Sequence, residues 1–111
     1  MKKIFTFVMF LSISAMLVSS VSGEEIRWFS FDKGMEIARK HKKPIVVDFY
    51  ADWCHWCQVM ATTTFKNPEI VKKMNNEYVA IKIDTQKNES ITYRGVRYSP
   101  TGFAQAIGVE G

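Results

Sequence analysis

Residues Ile45-Val46-Val47-Asp48-Phe49-Tyr50 form an apolar run broken by a single carboxylate, and the chain's only two cysteines, Cys54 and Cys57, follow shortly after it. Such a run, opened by Pro44, suits a strand buried on both faces, as in the centre of a parallel sheet. Gln58-Val59-Met60-Ala61, beyond the cysteines, has helix-forming character. The Cys-x-x-Cys thus falls where a strand ends and a helix begins. A helix N-terminus offers unpaired N–H groups and the positive end of the dipole, both of which favour a thiolate over a thiol. In that setting the pKa of Cys54 falls from about 8.5 into a range of roughly 3.5–7.5, making it a nucleophile near neutral pH. Cys57, one helical turn later, can attack a mixed disulfide formed by Cys54. The pair reads as a thiol–disulfide exchange site.

A chain of 111 residues allows one domain at most. Its first part reads as a leader. Lys2 and Lys3 make a positive n-region, Ile4 to Val18 is nearly unbroken apolar sequence, and Ser19-Ser20-Val21-Ser22-Gly23 supplies the small residues of a cleavage site. Residues 1–23 are therefore expected to be a cleaved signal peptide, directing the protein to the periplasm or another extracytoplasmic compartment. The competing reading, an uncleaved anchor, needs ~20 apolar residues, and this run is short and dotted with serine.

The domain is expected over residues 24–111. With Lys2 and Lys3 removed, thirteen of the fifteen basic residues face eleven acidic ones, a net charge near +2. That does not suggest a nucleic-acid partner. The cluster Arg39-Lys40-His41-Lys42-Lys43 is brief and falls where a helix should end, complementing its dipole. An exported disulfide scaffold would use four, six or eight cysteines, and one close pair constrains the unfolded chain little. The pair is chemical rather than structural on this argument.

In chain order, Glu24 to Phe31 reads as a lead-in whose aromatics Trp28, Phe29 and Phe31 cover the core. Ser30 or Asp32 can cap a helix running to about His41. The strand Ile45 to Tyr50 follows, then a helix from Cys54 to about Thr63. Asn67 and Pro68 open another helix that Asn75-Asn76 should end, with Ile70, Val71 and Met74 on its apolar face. Tyr78 to Asp84 alternates as a strand buried more firmly on one face. Ile91-Thr92-Tyr93 and Val96-Arg97-Tyr98 flank Arg94-Gly95 like a small hairpin. Ser99-Pro100 opens a last short helix, Thr101 to Ile107, stopped by Gly108. The order is that of an α/β protein.

Val47-Asp48-Phe49-Tyr50-Ala51-Asp52-Trp53-Cys54-His55-Trp56-Cys57, followed by a strand ending in Asp84, resembles the thioredoxin superfamily, and specifically its exported members. The resemblance runs from about Trp28 to Gly111. The helix Lys33 to Lys43 ahead of Pro44, then Met60 and Phe65-Lys66-Asn67-Pro68, look like the branch that includes SoxW-type periplasmic reductases and the C-terminal domain of the DsbD-type transmembrane reductase. It implies a three-layer α/β/α thioredoxin-like fold. It implies Cys54 as the attacking thiolate, Cys57 as the resolving thiol, and a redox-active Cys54–Cys57 disulfide. Asp48, six residues before Cys54, matches the family's buried carboxylate, which would accept and return the proton of Cys57 with a pKa raised by low dielectric. The bland alternative for Asp48 is a satisfied structural carboxylate. Trp53 precedes the first cysteine as in the family. His55 and Trp56 replace the Gly-Pro of ordinary thioredoxin. A cationic His55 would stabilise the reduced form, Trp56 would offer a flat contact for a partner polypeptide, and the alternative for both is a spacer role.

The family also places a cis-proline opposite the disulfide, usually within Val-x-Gly-x-Pro-Thr. Pro100-Thr101 lies about the right distance after Cys54, but Gly102-Phe103-Ala104-Gln105-Ala106-Ile107-Gly108 is not the apolar strand that should follow. Pro100 is read instead as a helix-start residue, Tyr93 to Tyr98 as an insertion, and Val109-Glu110-Gly111 as the beginning of the family's proline run. On that reading the fold is incomplete, lacking its last two strands and final helix, and the chain alone should fold poorly and aggregate, with apolar surface and a sheet edge exposed.

The leading functional expectation is an extracytoplasmic oxidoreductase exchanging disulfides with thiol- or disulfide-containing proteins, with a membrane electron donor if it works as a reductase. No organic cofactor is required, since the cysteine pair carries the two electrons. One competing class is metal binding through Cys54, His55, Cys57 and His41, but zinc normally takes four ligands and no second Cys-x-x-Cys exists, so no metal is expected. Another is a non-catalytic binding module with a structural disulfide.

Overall fold

The computed structural model describes residues 24–109, so the expected leader and the last two residues, Glu110 and Gly111, lie outside the described residues. The elements run β1 (Trp28–Phe29), α1 (Phe31–His41), β2 (Ile45–Tyr50), α2 (His55–Thr62), a 3-10 turn (Thr64–Lys66), α3 (Pro68–Glu77), β3 (Val79–Asp84), β4 (Ile91–Tyr93), β5 (Val96–Tyr98) and α4 (Pro100–Ala106). β1, β3 and β2 form a parallel sheet in that order, and β4 and β5 an antiparallel hairpin.

The helix signals act where the sequence places them. Ser30 caps α1 by accepting the Lys33 N–H, and Arg39, Lys40 and His41 occupy its last turn. Asn67 caps α3 by accepting the N–H groups of Glu69 and Ile70, with Pro68 in its first turn. Ser99 caps α4 by accepting the Gly102 N–H at 3.0 Å. Pro100 is thus a helix-start residue, and no peptide bond among the described residues is cis.

Parallel strands need both faces covered, and this sheet is covered by two unlike clusters. On one face Ile81, Val79, Ile83 and Ala38 pack with Ile91 and Phe103, joining α1, the hairpin and α4. On the other, Ala80 packs with Val71 and Met74 of α3 and with Ile26, flanked by Trp28 and Phe65. Gly34 of α1 is the close-approach point: a Cβ there would overlap Cγ1 of Ile81, the residue with 0% exposure at the middle of the sheet. The hairpin turns at Arg94 (φ 50°) and Gly95 (φ 77°), the two positive values that a two-residue turn of right-handed twist demands.

Three expectations are corrected. The middle strand is β3, not β2, which stands at the edge of the described sheet with every residue half-buried. Asn75-Asn76 does not end α3, which continues to Glu77. Asn75 instead ties down the lead-in: its carbonyl accepts the Arg27 N–H at 3.0 Å and its amide donates to the Glu25 carbonyl at 2.9 Å. That tether lets Trp28-Phe29 pair with β3, so the expected lead-in contains a short strand too brief for any periodicity to reveal.

Candidate functional site

The parallel strands β2 and β3 run in one direction, so their last residues, Tyr50 and Asp84, pair at one end of the sheet. The cysteines follow directly from that end. Cys54 is the N-cap of α2, with extended backbone, and Cys57 lies in the first turn. The two are joined as a disulfide with a Cα–Cα distance of 5.3 Å. The Cys57 N–H donates to the Cys54 sulfur at 3.2 Å, placing an end-of-helix donor on that atom. The Cys57 sulfur faces inward, 3.5 Å from the carbonyl oxygen of Phe49. Both cysteines are half-buried.

Around them the side chains point outward. Trp53 is 79% exposed and Trp56 73%, two indoles flanking the disulfide. His55 is exposed and packs edge-on against Trp56, with ring centroids 5.7 Å apart. The turn that carries Trp53 is pinned by residues that sequence reasoning did not single out. The Asp52 N–H donates to Gln86 Oε1 at 2.8 Å, and Gln58 Nε2 donates to the Asp52 carbonyl at 2.9 Å. The Tyr50 hydroxyl donates to Asp52 Oδ1 at 2.9 Å, and by accepting that hydrogen bond the carboxylate stabilises the protonated phenol and holds it above its ordinary value of 10.0.

Asp48 lies on β2 and pairs in register with Lys82 of β3. Alternation along the strands puts Val46, Asp48 and Tyr50 on the face shared with Ala80 and Lys82. Asp48 is half-buried, less enclosed than its apolar surroundings in sequence imply, because β2 is an edge strand among the described residues. Burial still raises its carboxyl above the ordinary 3.8, and the Lys82 ammonium acts against that rise. Lys82 was missed in the sequence because a lysine in a strand reads as a solvent-facing residue. Its alternation with Ile81 and Ile83 opposite the Asp48 strand was the available signal.

His41 is not brought to this site. It ends α1, at the start of β2, while the cysteines follow the far end of that strand, roughly 17–20 Å away for a strand of this length. Among the described residues no three His, Cys, Asp or Glu side chains form a group able to hold a metal ion. None of the described helices is long and apolar enough to cross a membrane.

The Thioredox_DsbH family, described as a protein of unknown function, DUF255, matches residues 10–98. Over 74 residues the chain is 38% identical to Thioredoxin Y, chloroplastic, of Oryza sativa subsp. japonica, an overlap of 67% of this chain and 40% of that protein. It is 34% identical over 61 residues to the thiol:disulfide interchange protein DsbD of Campylobacter jejuni, 55% of this chain and 11% of that one. Spermatogenesis-associated protein 20 of Homo sapiens is 34% identical over 62 residues, 56% of this chain and 7% of its own length. The chain therefore spans 40% or less of these curated relatives. In structure, a thioredoxin from Thermus thermophilus matches with a TM-score of 0.59 at 21% identity, covering 78% of this chain and 59% of the other. That likeness establishes a thioredoxin-like α/β fold.

Proposed function

The chain belongs to the Thioredox_DsbH family, and from that premise we propose that it is a thiol–disulfide oxidoreductase whose working pair is Cys54 and Cys57. The observation that carries this reading is the disulfide's placement: Cys54 caps α2 and receives the Cys57 N–H, while Cys57 faces the interior at the Phe49 carbonyl. One sulfur is thus favoured as a thiolate and the other is held back as its resolver. The relatives named thioredoxin and thiol:disulfide interchange protein support the same chemistry.

In the reductive direction the Cys54 thiolate attacks a partner disulfide, forming a Cys54–partner bond and releasing one partner thiolate. Cys57 passes its proton towards Asp48, and its sulfur attacks Cys54. The mixed disulfide breaks, the Cys54–Cys57 bond forms, and the partner leaves as a dithiol carrying the two electrons. Asp48 suits that proton because burial raises its carboxyl towards the working pH. Trp53 and Trp56 would give the partner chain two flat apolar faces beside the reacting sulfurs, with His55 adding a donor there.

We read residues 1–23 as an export signal, residues 24–111 as the domain, the compartment as extracytoplasmic, and the protein as a periplasmic carrier that receives its electrons from a membrane donor. The test is equilibration of Cys54–Cys57 against glutathione. A potential near about −270 mV would support a reductase, and one near about −120 mV an oxidant. A bond that does not exchange reversibly would sink the redox reading and leave a structural disulfide.

A further inference from the structure

Lys82 lies on the middle strand, and its ammonium stands over two aromatic rings, 5.5 Å from the Trp28 centroid and 4.8 Å from the Tyr50 centroid. The rings come from the two strands that flank β3: Trp28 from β1, in register with Ala80, and Tyr50 from β2, in register with Asp84. Aromatic faces carry negative potential and attract a cation within about 6 Å. A lysine stem without such contacts would extend its charge into solvent. Here the two faces keep the charge over the sheet, on the strand face that Lys82 shares with its register partner Asp48.

Other charges surround the ammonium. Asp84 on its own strand and Lys87 and Glu89 beyond it line one cleft together with Trp28, Tyr50 and Lys82. On the far side of Trp28, Glu25 and Lys66 line a second cleft with Lys82 and are paired with each other at 3.5 Å. Asp52 takes the Tyr50 hydroxyl. Asp84 and Glu89 are thus the carboxylates that could draw the ammonium away from Asp48.

We propose that Trp28 is a positioning residue for the site: with Tyr50 it holds the Lys82 ammonium beside Asp48, so the first strand helps set the pH at which that carboxyl ionises. The electrostatics agree, since Lys82 opposes the rise that burial causes in Asp48. The consequence for turnover rests on Asp48 handling the Cys57 proton, as proposed above.

The test is a carboxyl-carbon NMR titration of Asp48 in the oxidised full chain, for the wild type, Lys82→Met, Trp28→Leu, Trp28→Phe and the Trp28→Leu/Lys82→Met double variant. Lys82→Met and Trp28→Leu should both move the Asp48 midpoint upward, the second by less. Trp28→Phe, which keeps an aromatic face, should restore most of the wild-type value, and the double variant should go no further than Lys82→Met. An unmoved midpoint in either single variant overturns the proposal. So does a Trp28→Leu shift of equal size in the Lys82→Met background, which would mark a packing effect. Trp28 also packs on Phe65, with centroids 5.1 Å apart, so Trp28→Leu can lose its fold. Tyr50→Leu then decides, because it removes the other face: an upward midpoint supports the proposal and an unmoved one overturns it. The titration does not depend on redox activity. Reversible reduction of Cys54–Cys57, measured on the same samples, shows separately whether the oxidoreductase reading holds.

Discussion

The backbone N–H of Cys57 donates to the sulfur of Cys54 at 3.2 Å, so the helix that carries the second cysteine polarises the first. In the disulfide this is a weak contact. With the proposed Cys54 thiolate as acceptor after reduction, it would become a charge-assisted bond, roughly twice as strong as a neutral one.

Alkylation of the reduced chain should therefore be faster at Cys54 than at Cys57 and should persist to lower pH. Cys57→Ser should accumulate a stable mixed disulfide when offered a model disulfide, its Cys54 thiolate displacing one thiolate of that disulfide, and Cys54→Ser should form none. Mass spectrometry of pH-quenched samples reads all three. Equal rates at both thiols would show that the helix terminus does not activate Cys54.

Asp48 makes stability depend on pH in a defined direction. Its folded-state carboxyl is raised above 3.8, chiefly by burial, so the native chain keeps that proton to higher pH than the unfolded chain. Between the two values the native state binds more protons, and raising the pH weakens the fold until the carboxyl is fully ionised. Asp48→Asn removes this loss. Urea unfolding should show the variant gaining on the wild type as pH rises from about 3.8 through the raised value, with a constant advantage above it. An advantage that shrinks with rising pH would contradict the shift.

Gly34 should resist substitution despite sitting in a helix. Ala normally gains ~1 kcal/mol over Gly in a helix interior. Here the added methyl would stand 2.6 Å from Cδ1 of Ile81, a side chain with 0% exposure and no room to retreat. Overpacking of that kind costs about 1–3 kcal/mol, so Gly34→Ala is expected to be net destabilising and Gly34→Val more so. Denaturant midpoints measured on both variants check the order.

Phe103 is the aromatic hub of the α4 side. It is 3% exposed and packs against Phe31 at 5.2 Å, Tyr93 at 5.5 Å, Tyr98 at 5.8 Å and Phe49 at 6.0 Å between centroids. Phe103→Ala should cost about 3–5 kcal/mol, a large share of the stability of a small domain. Loss of near-ultraviolet dichroism together with a lower denaturant midpoint would report it. A near-neutral Phe103→Ala would show that the hairpin and α4 contribute little to the core.

Much of the site was legible because its signals are local. Proline and capping residues fix the starts of α3 and α4, and the Cys-x-x-Cys after an apolar run locates both sulfurs at a strand-to-helix junction. Trp53, His55 and Trp56 inherit their positions from that junction. Gly95 announces the hairpin because so tight a turn needs positive φ, which glycine takes without steric cost, and Arg94 takes it beside Gly95 at φ 50°.

The sequence by itself determined which residues begin the capped helices, where the thiols sit, and that one strand carries a carboxylate among apolar neighbours. The tertiary structure alone decided that β3 rather than β2 is the middle strand, and that Trp28 pairs with it once Asn75 tethers the lead-in. It also brought Lys82 between two rings and opposite Asp48, and pinned the Trp53 turn with Gln58 and Gln86. The physical reason is range. Caps, turns and helix termini are set by neighbours a few residues apart, whereas strand order and charge placement depend on contacts between segments far apart in the chain, which no local pattern records.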